Sequence, residues 1–191
     1  MRKLVYFVGV SLDGYIAGPN GEIDFYPVAE DMADWLRSEY PETLPTHARP
    51  HFGLAVDAPN QKFDTLIMGR GTYEPALAIG VTSPYAHMKQ YVASSTLGRI
   101  DDPTVELVEH DPVALVRELK RRDGLDIWLA GGGKFAAALL EEIDELVIKS
   151  YPVVAGAGVA SFTGEFRPTL FQPAERIAFG NGVQVSWFTR A

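Results

Sequence analysis

Residues 127–140, IWLAGGGKFAAALL, constrain this chain more than any other stretch, because an apolar run there meets three glycines and then turns helical. Ile127, Trp128, Leu129 and Ala130 read as a buried strand, and Lys134 through Leu140 has the alanine and leucine content of a packed helix. The glycines between them can take backbone angles closed to other residues and let a ligand come close to the main chain. A strand, a turn and a free helix N-terminus result. Such a terminus presents unpaired N–H groups and the positive end of the helix dipole, which suits a phosphate, and Lys134 adds a full charge beside it. A tight turn with no ligand is the competing reading.

Two phosphate loops can be tested against the stretch. Gly131, Gly133 and Ala136 fit the spacing G-x-G-x-x-A, but a dinucleotide fingerprint also needs an acidic residue at the end of the next strand, about 20 residues on. Here that strand, ELVIKS at 145–150, ends on Lys149 and Ser150. A Walker loop fails because Lys134 is followed by Phe135, where a magnesium-binding Ser or Thr is needed. Phosphate binding survives, and both of those folds are disfavoured.

With 191 residues, 47% of them hydrophobic, and no break in composition, the whole chain is expected to form one domain around one core. A formal net charge of -8 argues against nucleic acid and anionic membranes as partners, so an anionic cofactor must be held by local groups. Without cysteine there are no thiolate metal sites, and the four histidines lack ligand spacing, so no metal is expected. The start, MRKLVYFVGVSLDG, has a short apolar run that meets Asp13 and no small-residue cleavage site. It reads as a first strand rather than a signal peptide, which makes a cytoplasmic location the expectation.

Residues 4–10 are apolar throughout, as a central strand buried on both faces requires, and a glycine-rich loop follows to residue 24. Residues 29–40 place Met32, Trp35 and Leu36 on one helical face, and 41–62 lack periodicity, which predicts an irregular surface excursion. A second strand at 63–68 leads to a helix that Thr72 can cap and Gly80 ends. Further strands are expected at 89–93 and 105–108, then a helix from Asp111 through Arg122, a strand at 146–151 and a small-residue loop at 153–164. Asn181-Gly182 marks a hairpin in which Ile177 and Phe179 face Val183, Val185 and Trp187. Strand and helix alternate and a hairpin closes the chain, which describes a mixed α/β sheet.

Five pieces, SLDGYIAG at 11–18, IMGRGTYE at 67–74, ASST at 93–96, AGGGKF at 130–135 and DELVIKSYPVVAGAGVASF at 144–162, coincide in order with one family. The chain resembles the dihydrofolate reductase-like superfamily, and within it the stand-alone relatives of the reductase domain of the bifunctional riboflavin-biosynthesis deaminase/reductase. The resemblance implies a three-layer α/β/α fold with a central mixed, mostly parallel sheet, a C-terminal antiparallel hairpin and an NADPH site. By the same resemblance, Gly69, Arg70 and Thr72 hold the pyrophosphate and approach the adenosine phosphate, and Ser94 and Ser95 lie beside the ribose 2'-phosphate. Gly132, Gly133, Lys134 and Phe135 match the second pyrophosphate loop, and Ala17 a position beside the nicotinamide. Arg suits a phosphate because its planar fork offers paired donors.

The substrate region departs from the family, with GEIDFYPVAEDMADWL at 21–36 where folate reductases carry a proline- and tryptophan-containing segment and a pterin-binding carboxylate. Asp31 or Asp34 stands near that carboxylate. The zinc deaminase motif is absent. Arg49 and His51 are the nearest basic candidates for a substrate phosphate, with solvated surface charge as the competing reading. The leading expectation is an NADPH-dependent reductase acting on a C=N or C=O carbon of a small heterocyclic or ribosylamine-type substrate, similar to 5-amino-6-(5-phosphoribosylamino)uracil reductase. Asp13 and Asp31 are its candidate proton donors. The alternatives are a non-enzymatic NADP(H)-binding protein, a true dihydrofolate reductase, and a homodimeric subunit of either kind with Phe166, Phe171, Phe179 and Trp187 as candidate contacts.

Overall fold

Alternation along the first strand sends side chains to two separate cores, and the layers follow from that. The computed structural model describes residues 1–191. In β1 (Leu4–Val10), Leu4, Tyr6, Val8 and Val10 enter one core, while Val5 and Phe7 enter the other. The chain continues through β2 (Tyr15–Ala17), α1 (Glu30–Glu39), β3 (Phe63–Gly69), α2 (Arg70–Ala78), β4 (Lys89–Ala93) and β5 (Val105–Val108). It is completed by α3 (Pro112–Arg121), β6 (Asp126–Gly131), α4 (Gly133–Ala138), β7 (Glu145–Ser150), β8 (Val159–Ala160), β9 (Phe171–Ala178) and β10 (Gln184–Arg190).

Eight strands form one sheet in the order β5-β4-β3-β6-β1-β7-β10-β9, and β2 pairs with β8 in a separate ribbon. Pairing is parallel from β5 to β7, and β10 runs antiparallel to both β7 and β9. Trp35 and Leu36 of α1, with Tyr73 and Leu77 of α2, pack on the Val5 and Phe7 face. Val116 and Leu119 of α3 and Ala136 of α4 pack on the other face. This is the expected three-layer arrangement of a mixed, mostly parallel sheet. Each large side chain so buried contributes about 1.5–3 kcal/mol. The final hairpin forms as its Asn181-Gly182 signal requires, with Ile177 opposite Val185 and Gly182 at φ 86.

Residues 41–62 are far from a loose surface excursion. Arg49 is fully buried, and its Nη1 donates to the carbonyls of Val56 and Ala58 at 2.9 and 3.1 Å while Nη2 reaches that of Pro41 at 3.3 Å. Glu42, also buried, accepts from the backbone N–H groups of Lys62 and Phe63 at 2.7 and 2.8 Å. These charges serve as backbone partners for a segment whose own secondary structure is limited to two short 3-10 turns, Pro41–Thr43 and Arg49–Phe52. Arg49 is therefore no solvated surface charge: its two terminal nitrogens are spent on carbonyls of its own segment, and its Nε is buried without a partner. His87 braces the same segment through Thr46 Oγ1 and the Glu42 carbonyl, and burial pulls its imidazole down to about 4.

One smaller expectation changes. Thr72 caps no helix, because α2 begins at Arg70 with Gly69 at its N-cap. Two candidate dimer contacts, Phe179 and Trp187, are half-buried and pack around Trp35, with ring centroids 5.6 and 5.9 Å away. Phe171 lies under the Arg190 guanidinium, and Phe166 alone of the four is open, at 96% exposure. No helix is long and apolar enough to cross a membrane.

Candidate functional site

β3 and β6 lie side by side, yet the chain leaves β3 into α2 on one face and leaves β6 into α4 on the other. Connections that part in this way open a crevice beyond the carboxyl ends of the strands, where α/β sheets hold ligands. Met68 pairs with Gly131, so the two turns meet, and a Cβ on Gly69 would lie 3.6 Å from both Gly131 O and Gly132 N. Gly131 has φ 121, a conformation that favours glycine. Gly132 has ordinary extended angles, and a Cβ there would find nothing nearer than Thr72 Oγ1 at 3.9 Å. Gly71, in the first turn of α2, is open in the same way. Bare backbone therefore faces the crevice at Gly71 and Gly132, beside the Thr72 hydroxyl.

Gly133 is packed against the chain itself. A Cβ on it would collide with the Ala160 carbonyl oxygen, and its own carbonyl accepts from Thr163 N at 3.0 Å. The passing chain alone is enough to require glycine there. Phe135 also turns inward, with its Cβ 3.3 Å from the Cβ position of Gly69, so it supports the turn from below. Lys134 is exposed and lines a cavity of about 590 Å³ between α4 and residues 162–171.

The outer end of the groove is polar. Ala93 of β4 pairs with Gly69, which sets Ser94 and Ser95 beside the start of α2. Ser94 Oγ accepts from Leu97 N at 2.9 Å and fixes the turn, leaving Ser95 exposed. Arg70 reaches across to this turn, donating from Nη1 to Thr96 Oγ1 at 2.8 Å and from Nε to Glu74 at 2.6 Å. Both partners are on the surface, where such pairs are weak and exchangeable. The guanidinium is thus held near Ser94 and Ser95 and remains open to an anion.

The inner end is a split in the sheet. β1 pairs with β6 only from Leu4 to Tyr6, opposite Ile127 to Leu129, whereas it stays paired with β7 as far as Val10. Beyond Tyr6 and Leu129 the two strands part. Residues 15–17 stand over the split: a Cβ on Gly131 would lie 3.7 Å from Ile16 Cδ1, and Ala17 pairs with Val159. From Ser95 to the split, the candidate groups form one track along the carboxyl edge of four neighbouring strands, β4, β3, β6 and β1.

The carboxylates lie off this track in working terms. Asp13 accepts from Ser11 Oγ at 2.6 Å, Ala155 N at 3.0 Å and Gly156 N at 2.7 Å, bonds that hold its carboxyl down to about 2. It is a latch for residues 153–156 and a poor proton donor. Asp31 accepts from Gly180 N at 2.7 Å and braces the hairpin turn, and Asp34 pairs with Arg37. Both proposed donors thus carry scaffold bonds. No group of three or more His, Cys, Asp or Glu is placed to hold a metal ion.

One residue near the split was read in the sequence only as the end of a strand. Lys149 lies on β7 opposite Gly9 of β1, and its Nζ sits 4.1 Å from the centre of the Phe7 ring. Its signal was available: in ELVIKS the alternation that turns Val147 into the α1-side core turns Lys149 the same way.

Comparison with known proteins places this architecture. The family model of the RibD C-terminal domain matches residues 2–185. An uncharacterized Bacillus subtilis protein, YwjB, is 30% identical over 97% of this chain and 97% of its own, and a second, YyaP, is 26% identical over 84% and 80%. A putative riboflavin biosynthesis protein from Shewanella has the same fold, with a TM-score of 0.70 at 23% identity over 100% of this chain and 99% of that one. The Thermotoga maritima diaminohydroxyphosphoribosylaminopyrimidine deaminase/5-amino-6-(5-phosphoribosylamino)uracil reductase aligns with a TM-score of 0.64 at 14% identity, all of this chain covering 57% of that one. The expected relationship holds over nearly the whole sequence: the chain belongs to the RibD C-terminal domain family.

Proposed function

We propose that this protein is an NADPH-dependent reductase that transfers hydride to a C=N or C=O carbon of a small heterocyclic or ribosylamine-type substrate. One observation carries the reading: two glycine turns meet at the point where connections diverge, and the track they start runs without a break into the split between β1 and β6. The residues fit a dinucleotide. Open backbone at Gly71 and Gly132 and the Thr72 hydroxyl suit a pyrophosphate, and Arg70 with Ser94 and Ser95 suits the adenosine end with its additional phosphate. Ile16 and Ala17 cover the inner end and restrict water there. Bound NADPH supplies the hydride. Relatives that share the fold include a uracil-ribosylamine reductase, which supports the substrate class.

A second reading, a nucleotide-binding protein without turnover, is favoured by one observation: Asp13 and Asp31 are both committed to scaffold bonds. The test separates the two. Purified protein with NADPH should consume the reduced nicotinamide in the presence of at least one member of a set of pterins, aminouracil ribosides and small imines. Tight NADPH binding with no consumption across the set favours the second reading.

A further inference from the structure

We infer that Lys149 is the proton donor of this site, its ammonium giving a proton to the substrate heteroatom as the neighbouring carbon is reduced; this rests on the reductase reading above. The stem of Lys149 crosses from β7 over β1 at Gly9, sharing the space a side chain there would take with the Tyr151 ring, whose Cε2 lies 2.9 Å from that Cβ position. Its Cε lies 3.9 Å from where a Cβ of Gly9 would be. Its Nζ then sits over the face of Phe7, the first residue of β1 beyond the last pair with β6. The ammonium is therefore at the start of the split that ends the cofactor track, on the α1 side of the sheet. The residue is enclosed by protein yet keeps an accessible portion, as a group on a cleft wall does.

Its surroundings hold no counter-charge. α1 turns Met32 and Leu36 towards this core and β10 contributes Val185, so neither element brings an ion. The nearest titratable groups are phenols: Tyr40 stacked on Phe7 at 4.6 Å, Tyr151 beside Gly9, and Tyr26 on Tyr151 at 4.4 Å. The carboxylates whose charges reach these phenols are engaged elsewhere: Glu145 with Lys3, Glu39 with Lys62, Glu42 with backbone N–H groups and Asp13 with Gly156 N. All three phenols are pushed up to about 12 by burial and stay neutral in the working range. Lys149 makes no ion pair and no hydrogen bond, and desolvation lowers its ammonium to about 8. A largely desolvated cationic acid with no protein partner is costly to fold, and the cost is the same property that makes its proton easy to give.

The chemistry balances with the groups named. Carbon gains a hydride from NADPH, the π electron pair of C=N or C=O moves to the heteroatom, and the Nζ–H bond breaks to supply its proton. NADP⁺ and neutral Lys149 remain, and the amine regains its proton from water.

The test reads binding as well as turnover. Oxidised nicotinamide is cationic, so an ammonium beside it should make the wild-type protein favour NADPH over NADP⁺. In K149M that preference should shrink about tenfold at about pH 7, in K149R it should persist, and in the wild type it should shrink as pH rises past about 8. Both variants should lose turnover by about 100-fold or more, because a guanidinium keeps its proton. A preference unaltered in K149M, or turnover of K149M at the wild-type rate, overturns the proposal. Wild-type protein that binds neither form refutes the reductase reading, and the proposal with it. K149M is expected to fold, which its thermal transition verifies.

Discussion

Replacing Lys149 by methionine should make the protein more stable at neutral pH, although it removes a side chain from the site. The shift of its ammonium from 10.5 to about 8, at about 1.36 kcal/mol per pH unit, is a penalty of about 3 kcal/mol for keeping the charge in the fold. The face of Phe7 returns about 1 kcal/mol of that through its contact with Nζ. Methionine has a similar length and no charge, so the net gain should be about 2 kcal/mol, or about 4–8 °C in the transition for a chain of this size. The pH dependence identifies the cause. Below about 8 the amine is charged in both folded and unfolded chains, and the wild type carries the whole penalty. Between about 8 and 10.5 the folded protein releases the proton while the unfolded chain keeps it, so wild-type stability rises relative to the variant. Urea unfolding of both proteins at about pH 7 and about pH 10 measures this. A variant less stable than the wild type at about pH 7, or a gain equal at the two values, refutes the argument.

Gly132→Ala should leave stability nearly unchanged and weaken NADPH about tenfold or more, whereas Gly133→Ala should destabilise the fold through the Ala160 carbonyl; thermal transitions and NADPH titrations of both variants separate the two glycines. Arg49→Met leaves three carbonyls, that of Pro41 buried and those of Val56 and Ala58 partly so, without their donor and should cost about 2–3 kcal/mol, read by urea unfolding. Asp13 stabilises its loop above the ordinary carboxylate range and loses that effect as pH falls through about 2. Asp13→Asn should therefore speed pepsin cleavage within residues 153–158 at about pH 4, and the difference from wild type should close as pH falls towards about 2.

The sheet was legible because its information is local. Apolar runs mark β1, β3 and β6, and Asn181-Gly182 specifies its turn without help from the rest of the chain. Residues 41–62 were opaque because what orders them is nonlocal: Arg49 and Glu42 are ordinary surface residues until the fold supplies carbonyls and N–H groups around them. The glycine cluster was read as a unit, yet its members differ. Gly131 answers to φ, Gly132 to open space and Gly133 to the passing backbone of Ala160, a contact about 27 residues away that no spacing rule encodes. Asp13 and Asp31 attracted attention as acids at strand and helix ends, which is also where carboxylates accept backbone bonds. Lys149 was visible as a break in alternation, but its reach over Gly9 requires the register of β1 against β7.

A calorimetric titration with NADPH and with NADH, on wild type and Arg70→Ala, tests the central claim most directly. The account predicts that wild type binds NADPH about tenfold or more tightly than NADH, and that Arg70→Ala loses most of this difference while keeping its affinity for NADH. Equal affinities in the wild type, or no binding of either, would contradict it.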